Sequence, residues 1–359
     1  MPGYRGGTRA SHPALPVGGA LPHSGPVTRG MWEEVTSSGA PLTHALGAVA
    51  AAASRVPAQA RPAVLAERPD ATVVRGGRLV AKAHAPGTDP QELDLRLRVA
   101  AHPLLDGVLL PPAPLPDHGG ALSAVLLGRT VSLWPLGEPV DRDDPDSAPW
   151  AEAGALLARL HTVPVAALPG PPPQMRGPVR AAGAVARMLA AGAGDPAVLA
   201  AWRGLPPWAR GEAPQPRQVL CHGDLHLGQL VRHPAPDGPW CLIDVDDLGL
   251  GEPAWDLARP AMWFAAGLLD PADWGRFLGA YRAGAGPAVP ADGDPWPHLD
   301  VAARALAVQT AATAVAKAAQ EGRALDGTER TVLDTCRRIA EVKCSPTPGE
   351  DPRPARTRR

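Results

Sequence analysis

The feature that most constrains this chain is a short polar loop between two apolar stretches at residues 219–231. The segment reads V-L-C-H-G-D-L-H-L-G-Q-L-V, and W-C-L-I-D follows at 240–244 after a turn. Short apolar runs bounded by turn residues are typical of β-strands. We predict a strand before the loop and a hairpin after it, which together bring Asp224, Gln229 and Asp244 to one end of the strands.

Two carboxylates and an amide in this arrangement are the groups that phosphoryl transfer requires. One carboxylate accepts the proton of the attacking hydroxyl, and oxygen ligands hold Mg²⁺ on the phosphates. In the catalytic loop of protein kinases, a His stands two residues before the Asp and a metal-binding Asn five residues after it. His222, Asp224 and Gln229 keep both spacings. Asp244 stands where the second metal-binding Asp is expected.

Two motifs resemble those of the aminoglycoside phosphotransferase and choline kinase-like superfamily, the phosphotransferase enzyme family. They are H-G-D-L-H-x-G-Q and I-D-x-D-D-x-x-x-G-E-P-x-x-D-L-A, and they lie within 219–259. The general resemblance extends over about 60–340. It implies a protein-kinase-like bilobal α+β fold, with a small antiparallel-sheet N-lobe that carries one helix and a larger, mainly helical C-lobe. It also implies an enzyme that uses ATP, or GTP, with Mg²⁺ to phosphorylate a hydroxyl of a small molecule such as an aminoglycoside, a sugar or an amino alcohol.

The resemblance assigns roles by position. Asp224 resembles the catalytic base and His222 its structural support, while Gln229 and Asp244 resemble the metal ligands. Asp256 resembles the buried acid behind the loop, and we expect it to brace the loop by accepting hydrogen bonds.

One position departs from the pattern, because Gln229 occupies a place where most members of the family have Asn. Gln keeps the amide oxygen and adds one methylene. The chain contains no Asn at all, so the replacement alone does not indicate inactivity. A Gln in H-L-G-Q also resembles the maltokinase branch of the family.

A lysine in the first part of the chain provides a second indication. Lys82 lies on the third of three predicted strands, and the kinase template places a lysine there to hold the α- and β-phosphates, itself held by a helix glutamate. Glu92 opens the next predicted helix, so we expect a Lys82–Glu92 ion pair; the alternative is an ordinary surface pair. Lys is rare in this chain, with three against 32 Arg, which makes a Lys at this position informative.

The nucleotide site has a second departure from the template. No G-x-G-x-x-G precedes Lys82, and the turn between the first two strands reads Glu67-Arg68-Pro69-Asp70. The backbone of 132–137 joins the lobes and is expected to face adenine, with Trp134 and Leu136 as the contact residues.

Two other classes of function stay open from the residues alone. Gln229 and the missing glycine loop are compatible with a catalytically silent nucleotide- or ligand-binding protein. The spacing H-x-D-x-H of His222, Asp224 and His226 is compatible with a metal-dependent hydrolase, although His226 is more often a loop-packing residue. For Asp247 we expect a solvated acidic turn.

The chain divides into four segments by composition and periodicity. We predict a disordered extension at 1–28, the N-lobe at 29–137, the C-lobe at 138–343 and a disordered tail at 344–359. Within the lobes we expect strands at 61–84 and 121–137 and helices at 42–54, 89–101, 150–161, 179–203, 299–320 and 330–342.

The overall charge excludes some partners. A formal net charge of −1 and a pI near 6.8 provide no basic field for nucleic acid or an anionic membrane. The four Cys form no C-x-x-C pair, so we expect neither zinc nor disulfides and favour a cytoplasmic location. We also expect no export signal and no membrane span. The expected partner is a small molecule, and the oligomeric state is not indicated.

Overall fold

The computed structural model describes residues 41–54, 62–116 and 118–341. The predicted disordered segments at 1–28 and 344–359 lie outside the described residues.

The first lobe contains a five-stranded antiparallel sheet in the order β1-β2-β3-β5-β4. The turns at Gly77 and at Leu127-Gly128 have positive φ angles, as tight hairpins require. The predicted strands are therefore confirmed. Their bounds are β1 Ala63–Glu67, β2 Thr72–Gly76, β3 Leu79–Ala83, β4 Ser123–Leu126 and β5 Arg129–Pro135.

The first lobe also has two helices where the sequence predicts them. Helix α1, Leu42–Ala53, covers β2 and β3. A Cβ on Gly76 would lie 2.4 Å from the Ala51 amide nitrogen, so only glycine allows this close approach of strand and helix. Helix α2, Pro90–Ala100, begins at Asp89, whose side chain accepts hydrogen bonds from the first-turn amides.

The connection between the lobes is short. After β5 ends at Pro135, Glu138–Pro139 forms β6 and pairs with a strand of the second lobe. We keep the division at residue 137 as a proposal.

The second lobe is mainly helical and holds the largest apolar core. The predicted helix at 179–203 is two helices, because Gly192 has a positive φ and Asp195-Pro196 starts a new helix with its own cap. Two further helices, Ala254–Ala265 and Pro271–Ala283, were not predicted, because prolines and polar residues interrupt the periodic spacing of their apolar residues. The helices are α3 Trp150–His161, α4 Gly177–Ala190, α5 Pro196–Arg203, α6 Ala254–Ala265, α7 Pro271–Ala283, α8 Trp296–Glu321 and α9 Gly327–Glu341.

Helix α8 is the one helix of the described residues that is long and apolar enough to cross a membrane by length and composition. It is largely buried inside the lobe, packed against α4, α6 and α9. It is therefore a core helix of this fold.

Two small sheets position the polar loops. Strand β7, Val219–Cys221, pairs with β10, Gly249–Gly251, while β8, Leu230–Arg232, forms a hairpin with β9, Trp240–Leu242. The predicted strand, loop and hairpin are confirmed, and the loops after β7 and β9 meet below the first-lobe sheet.

Candidate active site

The loop after β7 is fixed from behind by one buried carboxylate. Asp256 lies at the start of α6 and is 1% exposed. Its Oδ2 accepts a hydrogen bond from the His222 amide at 2.6 Å and its Oδ1 from the Gly223 amide at 2.7 Å. The prediction that Asp256 braces this loop is therefore confirmed.

The brace continues deeper into the core. His161 Nε2 lies 3.0 Å from Asp256 Oδ2, and His161 Nδ1 lies 2.8 Å from the Tyr281 hydroxyl, which accepts a hydrogen bond from the Ala288 amide. Burial by itself raises the pKa of Asp256, but the hydrogen bond from His161 and its charge outweigh burial and lower that pKa. The loop therefore rests on an ionised, fully bonded carboxylate.

A glycine is required in front of Asp224. Gly223 has φ of +90°, and a Cβ there would lie 2.5 Å from the Asp247 carbonyl oxygen. His222 is buried, and its Nε2 lies 2.8 Å from the Ile243 carbonyl. His222 thus ties the loop to the segment after β9, as expected for a supporting residue.

Asp224 points out of this loop, with its side chain 20% exposed. Arg259, one turn beyond Asp256 on α6, donates from Nη2 to Asp224 Oδ1 at 2.6 Å and from Nε to the Leu225 carbonyl at 3.1 Å. Asp224 Oδ2 takes no hydrogen bond from any residue that the structure describes. One carboxylate oxygen is thus held, and the side chain stays partly exposed.

Gln229 and Asp244 meet where the β8–β9 hairpin ends. Gln229 Nε2 lies 3.5 Å from Asp244 Oδ2. Asp244 has φ of +67°, a left-handed conformation that Asp tolerates better than most residues and that is frequent at functional sites. The two side chains predicted as metal ligands are therefore neighbours.

Lys82 reaches this pair from the opposite lobe. Its Nζ lies 2.7 Å from Asp244 Oδ1 and 3.0 Å from Asp246 Oδ2. Burial alone lowers the pKa of Lys82, but the two carboxylates more than offset this effect and raise it. Burial alone raises the pKa values of Asp244 and Asp246, but the charge of Lys82 outweighs burial, and both pKa values are lowered. Lys82 is therefore charged and joins the two lobes at the site.

The expected Lys82–Glu92 ion pair is not the one that forms, which corrects the sequence-based expectation. The Glu92 side chain is half-exposed, and its Oε2 accepts a hydrogen bond from Arg96, one turn along α2, at 3.1 Å. Arg96 is itself buried and donates to the Leu248 carbonyl. Glu92 thus forms its ion pair with an arginine of its own helix, and Lys82 pairs with the carboxylates of Asp244 and Asp246 instead.

Of the predicted adenine-contact residues, Trp134 lies near the end of β5 and Leu136 directly after that strand. Trp134 is 8% exposed, and its Nε1 donates to Ser132 Oγ at 2.8 Å. The Leu136 amide donates to the Arg78 carbonyl at 2.9 Å, and the Leu136 carbonyl lies 3.2 Å from His233 Nδ1. Their role as adenine contacts stays a prediction.

Asp247 differs from its expected place in a solvated turn. It is 3% exposed and accepts a hydrogen bond from Arg180 at 2.6 Å, while Arg176 Nε lies 3.9 Å away. Burial raises the pKa of Asp247 to about 6, opposed by Arg180 and reinforced by Asp224 and Asp244. The expectation was wrong because the start of α4 covers this turn.

Sequence reasoning also missed other residues at the site. Arg259, Arg180 and His84 carried no signal, since a single Arg or His in a helix or strand has no spacing that marks it. Asp246 stands two residues after Asp244 in the I-D-x-D-D motif. In the structure Asp246 is part of the site: its Oδ2 pairs with Lys82, and its Oδ1 lies 2.8 Å from His84 Nδ1.

The hydrolase alternative receives no geometric support. His226 Nδ1 accepts a hydrogen bond from the Gly228 amide, and burial lowers the pKa of His226 to about 4, as expected for a loop-packing histidine. Within the described residues, the one cluster of three or more His, Cys, Asp or Glu side chains close enough to share a metal ion is His161, Cys221 and Asp256. Both nitrogens of that histidine are already bonded within the brace.

Oxygen donors for a divalent cation are present at the hairpin end. Asp244 supplies carboxylate oxygens, and Gln229 supplies an amide whose oxygen and nitrogen exchange places on a simple flip. A hard cation such as Mg²⁺ prefers this donor set. The chemistry of these two residues therefore fits the expected ion.

The fold and this site together define a class of protein, the two-lobed kinase-like phosphotransferases. A lysine from an antiparallel sheet meets aspartates from the loops of a helical lobe. The chain belongs to the phosphotransferase enzyme family, whose profile matches residues 70–298. The resemblance noted in the sequence is confirmed.

Individual relatives share limited sequence identity with this chain. The streptomycin 3''-kinase of Streptomyces griseus is 33% identical over 162 residues, which covers 41% of this chain and 56% of that enzyme. The chain therefore spans just over half the length of this curated relative.

The solved structures match in fold. A thermostable mutant of aminoglycoside phosphotransferase APH(4)-Ia in its apo form is 15% identical, with coverage of 79% of this chain and 96% of that chain and a TM-score of 0.50. A further mutant of it, in a ternary complex with ADP and hygromycin B, is 14% identical, with coverage of 79% and 95% and a TM-score of 0.50. These matches confirm the predicted bilobal α+β fold class.

Proposed function

We propose that this protein is an ATP- and Mg²⁺-dependent kinase that phosphorylates a hydroxyl of a small molecule. The observation that carries the proposal is the meeting of Lys82 with Asp244 at 2.7 Å, beside Gln229 and below the sheet. A buried cation held by carboxylates between two lobes is suited to hold phosphates, because charge neutralisation supplies most of the rate of phosphoryl transfer.

Asp224 is the proposed base. Arg259 holds one carboxylate oxygen, so the other is oriented toward the cleft and can accept the proton of an acceptor hydroxyl. His222 and Asp256 keep the loop in place through the buried hydrogen bonds described above. Phosphate binding is assigned to Lys82, and adenine contact to Trp134 and Leu136.

Gln229 and Asp244 would hold Mg²⁺. When bound, the ion supplies neutralisation of the phosphate charge. Glu92 was expected to clamp Lys82, and we now assign that part to Asp246.

An aminoglycoside is the first acceptor to test, because a streptomycin kinase is 33% identical to this chain over 162 residues. Sugars and amino alcohols are the other acceptor classes. We further propose that the protein acts in the cytoplasm. The catalytically silent alternative gains no support, since base, lysine and metal-ligand candidates all converge on one cleft.

The test is ADP release from Mg·ATP, with GTP in parallel, against a panel of aminoglycosides, sugars and amino alcohols. The thermal melting shift with each nucleotide is measured alongside, because binding at 100 times Kd adds about 2.7 kcal/mol to the free energy of unfolding. We expect a nucleotide-dependent shift and release of ADP with one acceptor class. A shift without ADP release for any acceptor would instead favour a binding protein.

A further inference from the structure

The turn between β1 and β2 offers little to a phosphate. In protein kinases a glycine-rich loop at this place covers the phosphates with its backbone. Here Arg68 and Ala71 exchange backbone hydrogen bonds, from the Arg68 amide at 2.8 Å and from the Ala71 amide at 3.3 Å. Pro69 has no N–H. Asp70 is therefore the one residue of this turn with a backbone N–H left for a ligand, and its carboxylate opposes one.

A side chain of the other lobe reaches the same turn. Arg180, on α4, lies with Nη2 at 4.0 Å from Asp70 Oδ2 and with Nη1 at 2.6 Å from Asp247 Oδ2. Its side chain is 39% exposed. The guanidinium is thus anchored at one end by a buried carboxylate, contacts Asp70 only weakly at the other, and stays partly exposed.

The surrounding charges place Arg180 close to the reacting groups. Burial alone lowers the pKa of Arg180, but the carboxylates of Asp247, Asp224 and Asp244 raise it. The same guanidinium therefore lies in the field of the proposed base and of a proposed metal ligand. Lys82 contacts Asp244 from the sheet, and Arg180 is a second cation whose charge acts on Asp244 and Asp224.

We propose that Arg180 is a phosphate-binding residue that holds the γ-phosphate of the nucleotide beside Asp224, in the place of the missing glycine-rich loop. This inference rests on the proposed kinase function. A guanidinium is planar and presents five N–H donors, which suits two-point binding of a phosphate. Asp247 fixes the direction of the guanidinium, and the weak 4.0 Å contact with Asp70 is the one that the phosphate replaces.

The contact between Arg180 and Asp70 could instead serve only to join the lobes, and the two roles predict opposite effects of an Asp70 substitution on nucleotide binding. If Arg180 only joins the lobes through Asp70, then removal of either charge loosens the cleft in the same way. If Arg180 binds phosphate, then Asp70 competes with the nucleotide for it and repels the phosphates. Asp70→Asn then strengthens nucleotide binding while Arg180→Ala weakens it.

The experiment measures Kd for Mg·ATP and Mg·ADP by titration on the full chain, for wild type, Arg180→Ala, Arg180→Lys and Asp70→Asn. Loss of a hydrogen-bonded charge pair weakens binding by about tenfold or more. We expect this loss for ATP in Arg180→Ala, a smaller one in Arg180→Lys, and little change for ADP, which lacks the γ-phosphate. Asp70→Asn is expected to bind ATP more tightly than wild type.

Arg187→Ala is the matched control, because Arg187 is an exposed arginine on the same helix, and it should bind both nucleotides like wild type. Equal ATP affinity in wild type and Arg180→Ala would overturn the proposal, as would equal weakening by Arg180→Ala and Asp70→Asn. ATP-specific weakening without ADP release from any acceptor would support the Arg180 site and contradict the kinase function. A wild type that binds neither nucleotide would overturn both.

Discussion

Arg259 Nη2 lies 2.6 Å from Asp224 Oδ1, so a guanidinium of helix α6 holds the proposed base from one side. The same guanidinium donates to the Leu225 carbonyl, which fixes its own position relative to the loop. Asp224 therefore has one carboxylate oxygen held by Arg259, while its backbone amide contacts His222 Nδ1 at 3.4 Å. Orientation and charge at this residue come from α6, which also carries the buried Asp256.

Replacement of the base should separate chemistry from binding. In Asp224→Asn the side chain keeps its shape but cannot accept the hydroxyl proton. General-base catalysis contributes about 10²- to 10⁴-fold, so we expect turnover to fall at least about 100-fold while Kd for Mg·ATP stays within a few-fold. Steady-state ADP release and nucleotide titration measure the two effects. Asp94→Asn, at a half-exposed helix carboxylate paired with Arg98, is the control. Wild-type turnover in Asp224→Asn would contradict the assignment.

Removal of the lysine should affect both binding and stability. In Lys82→Met, the carboxylates of Asp244 and Asp246 lose their cation, and breaking a buried pair costs about 3–5 kcal/mol. These two carboxylates are partly exposed, so we expect a loss at or below the lower end of this range. We also expect ATP binding to weaken about tenfold or more. Urea unfolding and nucleotide titration are the measurements.

Lys317→Met is the matched control for this variant, because Lys317 is exposed on α8 and its carboxylate partner Glu321 lies 3.9 Å away. A surface pair of this kind contributes at most about 1 kcal/mol. If both Lys variants behaved alike in stability and binding, the assignment of Lys82 would be wrong.

The sequence was sufficient to predict the parts of the site that have local signals. The strand, polar loop and hairpin at 219–244 follow from short-range alternation and turn residues, so the meeting of Gln229 and Asp244 could be predicted. Asp256 could be predicted as a brace because the family motif marks it. The glycine turns and the cap at Asp89 likewise depend on neighbouring residues alone.

The rest of the site depends on tertiary packing, which a single sequence does not encode in any local pattern. Glu92 follows Lys82 at the sequence separation expected for the clamp, but it forms an ion pair with Arg96, one turn away on the same helix. Asp247 looks like part of a solvated acidic run until α4 covers it with Arg180. Such pairs join residues far apart in the chain, and without related sequences to compare they have no signature.

The metal-binding role of Gln229 can be tested by changing the length and the polarity of its side chain. Gln229→Asn keeps an amide oxygen but withdraws it by one methylene, whereas Gln229→Leu removes the polar group at similar size. We expect Gln229→Leu to raise the Mg²⁺ concentration needed for half-maximal ADP release by about tenfold or more, and Gln229→Asn to have a smaller effect. Equal Mg²⁺ dependence in wild type and Gln229→Leu would remove this residue from the metal site.

Asp247 makes the stability of the protein depend on pH in a defined direction. Its pKa is raised to about 6 in the folded protein, chiefly by burial, while an unfolded Asp titrates near pH ~4. Between these values the folded state holds more protons, so the stabilisation is complete below about pH 4 and is lost as the pH rises through about 6. Asp247→Asn removes this titration. Relative to wild type, the variant should therefore gain on the order of 3 kcal/mol between pH 4 and pH 7.

Urea unfolding of both proteins at the two pH values, without nucleotide or divalent cation, measures this gain. The difference between variant and wild type cancels the titration of groups common to both. Asp237→Asn, at an exposed turn, controls for the loss of one surface carboxylate. Asn keeps an oxygen that can accept the Arg180 hydrogen bond, and a weaker contact with Arg180 would lower the stability of Asp247→Asn at both pH values, so the change with pH is the diagnostic quantity. A difference that stays constant, or that favours wild type more as the pH rises, would show that Arg180 outweighs burial and that Asp247 is charged throughout.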